Sequence, residues 1–341
     1  MTNKDSLKKR DTAAMQEPAV SILIPVYNEA EVLPLCFAKL NEVLVNLDLT
    51  YELIFVDDGS NDGSGACLAA LVAIQDNVKV ISLSRNFGKE AAMSAGLAYT
   101  RGAATIILDA DLQDPPELIP EMIQAWRAGA DVVTMRRRAR TGDAWHKRLS
   151  AHLYYRLLNR LSDVPIPADT GDFRLLSARA VQALNQLPER SRYMKGIFSW
   201  VGFPTTEILY ERRPRAAGKT KWGYGHLMAL AIEGITAFST RPLRWASGVG
   251  VIVAGMGLSY GLFIATKTIL LGEKVPGYPS LVAIIAFLGG VQLITMGILG
   301  VYVGKSYLEA KQRPVFLVKD VLQSSRGERE LPLEGDEHGL A

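Results

Sequence analysis

The residues best suited to chemistry follow an apolar run, Thr105-Ile-Ile-Leu108. They are Asp109, Ala110, Asp111, Leu112 and Gln113, and a Pro-Pro pair closes the segment. In extended chain, positions two apart face the same side. The spacing therefore predicts that Asp109, Asp111 and Gln113 point at one oxygen-ligated cation. Mg²⁺ or Mn²⁺ suits such a set, because both take carboxylates together with phosphate oxygens. A second acidic pair, Asp57 and Asp58, ends the run YELIFV and precedes Gly59-Ser60. A carboxylate there can accept hydrogen bonds from a base or a ribose, although Asp-Gly-Ser is also ordinary turn chemistry. Three more polar clusters end apolar runs in the same way: PVYNE (25–29), SRNFGK (84–89) and MRRR (135–138).

Something must bring these clusters together. Residues 18–140 alternate short β-branched runs with helical stretches. Strands are expected over 21–28, 51–58, 79–86, 105–111 and 131–137, and helices over 30–47, 62–75, 88–100 and 116–128. Strands this apolar argue for an α/β fold whose mainly parallel sheet is covered on both faces. Ligands of such sheets bind beyond the carboxyl ends of the strands, where all five clusters should lie.

The C-terminal third is different in kind. Two apolar stretches, 245–271 and 281–303, each exceed the roughly 20 residues that cross a bilayer. Arg241 and Arg244 flank the pair on one side, and Lys305, Lys311 and Arg313 on the other. The positive-inside rule places both flanks, and so both termini, in the cytoplasm. No apolar segment follows the basic residues of the N-terminus, so no signal peptide is expected. A basic amphipathic helix at 141–162 is expected to lie along the membrane surface, and an apolar helix at 223–239 to lead to the membrane entry. Gly257 with Gly261, and Gly300 with Gly304, have a spacing that permits close helix packing, and so homo-oligomer formation. The expected division is a disordered 1–17, a catalytic 18–240, a two-helix anchor 241–305 and a tail 306–341. A net charge of +3 does not suggest a nucleic-acid partner. The two cysteines, Cys36 and Cys67, have no metal-ligand spacing.

The segments SILIPVYNEAEVLP, VDDGSNDGS, SRNFGKEAAMSAGL, DADLQDPPE, TGDFRLL (170–176) and RAAGKTKW (215–222) together resemble the family 2 glycosyltransferases of the GT-A fold. With two C-terminal membrane helices, the chain is similar to the polyisoprenyl-phosphate glycosyltransferases, nearest the bactoprenol glucosyltransferase branch. The resemblance implies an inverting enzyme of the bacterial inner membrane, acting on the cytoplasmic face. It would move glucose from UDP-glucose to undecaprenyl phosphate, for cell-envelope or O-antigen modification. Carried over by motif, Pro25, Tyr27, Glu29, Asp57, Asp109, Ala110, Arg136, Arg215 and Lys221 contact the nucleotide sugar. Asp109, Asp111 and Gln113 hold Mg²⁺ or Mn²⁺, and Asp111 and Asp172 serve catalysis. Met135 stands where a small residue is usual, and Thr220 where serine is usual. Lys195, in RYMKG (192–196), is a candidate to meet the acceptor phosphate, although the residue pattern favours an exposed surface lysine. Mannose or an amino sugar is an alternative donor group. A processive polysaccharide synthase is disfavoured, since Arg241 stands where its Q-x-x-R-W stretch needs glutamine. A nucleotide-sensing scaffold without activity is the alternative from another class.

Overall fold

The computed structural model describes residues 18–138, 156, 159–160, 167, 170–190, 192–211, 235–236, 239–271 and 277–324. The expected helices at 141–162 and 223–239, and the residues Arg215, Thr220 and Lys221, lie mostly or wholly outside them.

The first half alternates as its sequence demands. Strands β1 (Val20–Val26), β2 (Tyr51–Asp57), β3 (Val78–Leu83), β4 (Ala104–Ile107) and β5 (Val132–Arg137) are interleaved with helices α1 (Leu33–Leu44), α2 (Ser64–Ile74), α3 (Lys89–Tyr99) and α4 (Ile119–Arg127). Then come β6 (Thr170–Ser177), α5 (Ala178–Asn185), α6 (Met194–Trp200) and β7 (Thr205–Tyr210). Two long helices, α7 (Arg241–Leu271) and α8 (Tyr278–Ala310), precede β8 (Val318–Gln323).

All the strands form one sheet in the order β7-β5-β6-β4-β1-β2-β3-β8. The inner strands β1 to β4 pair in parallel, as does β5 with β7, while β6 and β8 run against their neighbours. Successive side chains of a strand point to opposite faces, so β1 feeds both layers. Ile22 and Ile24 pack toward α1, α2 and α4, and Leu23 packs toward α3, α5 and α6. Each such fully buried Leu or Ile contributes roughly 1.5–3 kcal/mol. Gly96 lets α3 lie directly on β1: a Cβ there would come 2.0 Å from Leu23 Cδ1.

Strands β6, β7 and β8 were not expected. TGDFRLL was assigned no strand, yet it is a strand inserted between β4 and β5. Its direction carries the Thr170 end to the edge where β1 to β4 terminate, so Asp172 joins the other polar clusters. Residues 306–341 were expected as a tail. Instead α8 continues to Ala310, and Val318–Gln323 pairs antiparallel with β3. Ser84 N donates to Leu317 O at 2.9 Å, and Phe316 and Val318 pack on the core beneath. The polar strand VKDVLQ was hidden because edge strands need no alternating apolar face.

Two helices, over Arg241–Leu270 and Ala283–Ala310, are long and apolar enough to cross a membrane. They contact each other, and the Tyr302 hydroxyl donates to Ser239 O at 2.6 Å. Gly257, Gly261, Gly300 and Gly304 have no atom within 4 Å of where a Cβ would stand. Their expected role in close packing is therefore not used between these two helices.

The pairing of β8 gives a testable outcome. A fragment ending at residue 240 exposes the β3 edge and the apolar patch under Phe316. It should unfold at a lower temperature and self-associate, while the same fragment with residues 314–324 rejoined through a flexible linker should recover. Differential scanning and size-exclusion chromatography check this; equal behaviour of the two fragments would refute the structural role of β8.

Candidate active site

Asp109 and Asp172 meet because of register. The last β4–β6 pair is Ile107 with Arg174. Counting two residues outward on each strand sets Asp109 opposite Asp172. Between them stands Lys89, the first residue of α3. Its ammonium donates to Asp172 Oδ2 at 2.6 Å and lies 2.6 Å from Oδ1 and 2.8 Å from Oδ2 of Asp109. The lysine stem is exposed, while its head is packed between the two carboxylates.

Asp58 sets the position of Lys89. It is buried at the end of β2, and its carboxylate accepts Phe87 N at 2.7 Å and Gly88 N at 2.9 Å. These bonds fix the turn into α3, where Gly88 has φ +97°. Burial pushes the Asp58 carboxyl up, and the two amide bonds oppose that. Gly59 completes the turn. A Cβ on it would meet the Arg85 carbonyl carbon at 2.6 Å, and its φ is +69°.

The β1 and β2 loops are bonded to each other as well. Asn28 N donates to Ser60 Oγ, Glu29 N to Ser64 Oγ and Asn61 N to Asn28 Oδ1. Asp57 Oδ1 accepts Ser60 N at 3.0 Å. This turn places Pro25, Tyr27 and Glu29 beside Asp57 at the mouth of the β1–β2 cleft. Tyr27 is 40% exposed there, a flat ring open to solvent.

The Asp-x-Asp segment differs from its expected geometry. β4 stops at Ile107, and residues 110–112 turn, with Leu112 at φ +55°. Asp111 is buried, and its Oδ1 accepts Gln113 N at 3.1 Å. The premise that an extended chain aligns Asp109, Asp111 and Gln113 therefore fails. Among the described residues no group of three or more His, Cys, Asp and Glu is arranged to hold a metal. The donor set still fits a hard cation that brings oxygens with it. Asp109 already holds one cation, the Lys89 ammonium, and buried Asp111 lies in the same loop. Beneath them, burial pushes the Cys36 thiol up to about 12, and the charges of Asp111, Asp109 and Glu29 add to it. That thiol is inert at neutral pH.

Behind Asp172 lies a buried charged cluster. Burial alone would raise the Asp172 carboxyl, but Lys89, Lys195 and Arg174 hold it below the usual carboxylate range. It is therefore ionised at neutral pH, with its Oδ1 buried and lacking a partner among the described residues. Arg174 donates from Nη2 to Gly171 O at 2.7 Å and lies 3.8 Å over the Phe198 ring. Burial lowers its guanidinium to about 10. Glu90 accepts Met194 N at 3.1 Å. Burial, then the charge of Asp172, pushes the Glu90 carboxyl up to about 7.

Arg136 sits within β5, not after it, and pairs with Glu207 at 3.2 Å on the surface. Lys195 is half-buried beside the Asp172 cluster, not the exposed lysine expected. Lys89, Glu90 and Arg174 were not expected from the sequence as single site residues, and Asp58 was expected only as part of the Asp57–Asp58 pair. A signal for Lys89 was present: a lysine at the first helical position opposes the helix dipole, so it needs acidic partners.

A family profile described as "Glycosyl transferase family 2" matches residues 21–184. An uncharacterized glycosyltransferase of Synechocystis is 48% identical over 92% of this chain and 98% of its own length. The bactoprenol glucosyl transferase of Shigella phage SfX is 44% identical over 88% of this chain and 98% of its own. Among solved structures, the glucosyl-3-phosphoglycerate synthase of Mycobacterium tuberculosis, bound to Mn²⁺, UDP and its product, is 19% identical. It aligns over 64% of this chain and 78% of that one, with a TM-score of 0.46.

The raised Glu90 carboxyl predicts a pH dependence of stability. The fold favours its protonated form, so the stabilisation is complete below the ordinary carboxylate range and is lost as pH climbs through about 7. The unfolding temperature of the wild type, relative to Glu90→Gln, should fall by a few degrees between about pH 5 and pH 8. Parallel pH curves for the two proteins, followed by tryptophan fluorescence, would show that Glu90 keeps its ordinary value.

Proposed function

The chain belongs to glycosyl transferase family 2, among the polyprenyl-phosphate glycosyltransferases, and we propose that it moves glucose from UDP-glucose onto undecaprenyl phosphate at the cytoplasmic face of a bacterial inner membrane. The resulting lipid-linked sugar would supply cell-envelope or O-antigen modification. The observation that carries this reading is the meeting of Asp109, from the donor side, and Asp172, from the acceptor side, on one ammonium. The 44% identity to a bactoprenol glucosyl transferase supports the acceptor and the sugar. The two apolar helices, Arg241–Leu270 and Ala283–Ala310, support a membrane location.

Asp109 and Asp111, with the Gln113 amide, would hold Mg²⁺ or Mn²⁺. The ion would offset charge on the departing diphosphate. The remaining work falls to the chain itself. Pro25, Tyr27, Glu29 and Asp57 line the cleft for the nucleoside. Asp109 and Ala110, past the end of β4, and Arg136, within β5, are assigned to the diphosphate and sugar by motif, and Arg215 and Lys221 to the phosphates. An oxygen of the acceptor phosphate attacks the anomeric carbon. The bond from that carbon to the diphosphate oxygen breaks, and its electron pair leaves with the nucleoside diphosphate. Attack from the opposite side inverts the configuration and gives a β-linked product. The acceptor oxygen is already anionic, so no proton need be removed. Asp172, held ionised by Lys89, therefore orients groups at the reaction centre instead of acting as a base.

Membranes carrying the protein, given radiolabelled UDP-glucose and undecaprenyl phosphate, should yield a labelled chloroform-soluble lipid. Asp111→Ala should lower this transfer by about 100-fold or more. Asp111→Ala turning over at the wild-type rate with Mg²⁺ would overturn the metal assignment. Label entering lipid only from other nucleotide sugars would overturn the donor assignment.

A further inference from the structure

An incoming lipid phosphate needs a cation that the donor side has not already engaged. Lys89 is committed to Asp109 and Asp172. Arg174 is committed to Gly171 O and the Phe198 ring. Arg136 pairs with Glu207. Lys195 differs from all of these. It is half-buried on α6, and its ammonium has no hydrogen bond or ion pair among the described residues. It nevertheless lies near enough to Asp172 and Glu90 for its charge to act on both. Asp172 Oδ1 is buried and likewise lacks a hydrogen-bond partner among the described residues. An ammonium held beside a reaction centre without engaging it is placed for an anion that arrives later.

The way α6 is fastened points to which anion. On one side Met194 N, one residue before Lys195, donates to Glu90 Oε2 at 3.1 Å, next to Lys89. On the other side the segment leading into α6 grips the end of α8. Arg190 N donates to Glu309 Oε1 at 2.9 Å and Oε2 at 3.1 Å, and Arg190 Nε donates to Arg313 O at 2.9 Å. Glu309 lies in the last turn of a helix apolar enough to cross a bilayer. The chain entering α6 is thus bonded at Arg190 to the end of a long apolar helix and, four residues on, at Met194 to the reaction centre. A phosphate anchored by a lipid tail would enter along this side.

We propose that Lys195 binds the phosphate of the lipid-linked acceptor, with Arg190 and Glu309 fixing α6 against the membrane helix. The inference rests on the reading of the acceptor as a polyprenyl phosphate. The competing source of the same chemistry is the donor's diphosphate, and steady-state kinetics separates the two. Full-length protein in detergent micelles is assayed with UDP-glucose and undecaprenyl phosphate, varying each in turn, and UDP binding is measured by calorimetry. Lys195→Ala should raise the KM for undecaprenyl phosphate at least about tenfold, the loss of one charge-assisted contact. The KM for UDP-glucose and the UDP affinity should stay within about twofold of wild type, and Lys195→Arg should restore most of the acceptor affinity. An unchanged acceptor KM, a rise confined to the donor, or an equal rise in both would overturn the proposal. Should Lys195→Ala not fold, as judged by UDP binding, Lys195→Gln is read by the same criteria. Wild-type protein that binds UDP but glycosylates no polyprenyl phosphate would instead refute the proposed function.

Discussion

One ammonium shared by two carboxylates holds the site together. Asp109 ends the path from β4, Asp172 lies near the start of β6, and Lys89 joins them at 2.6 Å on each side. Without that charge, two acids on adjacent strands would repel across a partly desolvated gap. The surrounding structure serves to put Lys89 there. Asp58 clamps the amides of Phe87 and Gly88, Gly59 lets the loops touch, and Gly96 seats α3 on β1. A lysine opening a helix is unfavourable against the local dipole, and the two carboxylates more than offset that cost.

The buried charges behind Asp172 divide into engaged and unengaged groups. Glu90 caps the approach of α6, and Arg174 donates to Gly171 O and is stacked on Phe198. Isolated charges are costly to bury unless paired. Lys89 obeys this rule, whereas Arg174 Nε and one oxygen of Asp172 are buried without a hydrogen-bond partner among the described residues.

Most of the first half of the fold was legible in the sequence. Continuous apolar runs separated by helical patterns specify β1 to β5, and the two long apolar helices follow from length and lack of charge. The elements that escaped are those whose partners are remote in the chain. β6 owes its strand state to β4 and β5 on either side, not to alternation within TGDFRLLS. β8 is polar and exposed, and only its pairing with β3 makes it a strand. The site was legible as a set of strand ends, because parallel topology gathers them. Its internal geometry was not. Extended-chain reasoning aligned Asp109, Asp111 and Gln113, whereas Leu112 turns through the left-handed region between them. The Asp109–Lys89–Asp172 bridge depends on antiparallel register across β4 and β6, which residue spacing cannot reveal.

The last strand also sets an order on the making of the protein. β3 is synthesised early, but its outer neighbour β8 leaves the ribosome only after both long apolar helices. If those helices enter the bilayer as they emerge, the sheet closes last, after insertion is complete. Until then β3 presents unpaired amides and carbonyls to the cytosol, a surface on which chaperones or other nascent chains can act. In that case completion of the sheet becomes a molecular record that both helices have already been inserted.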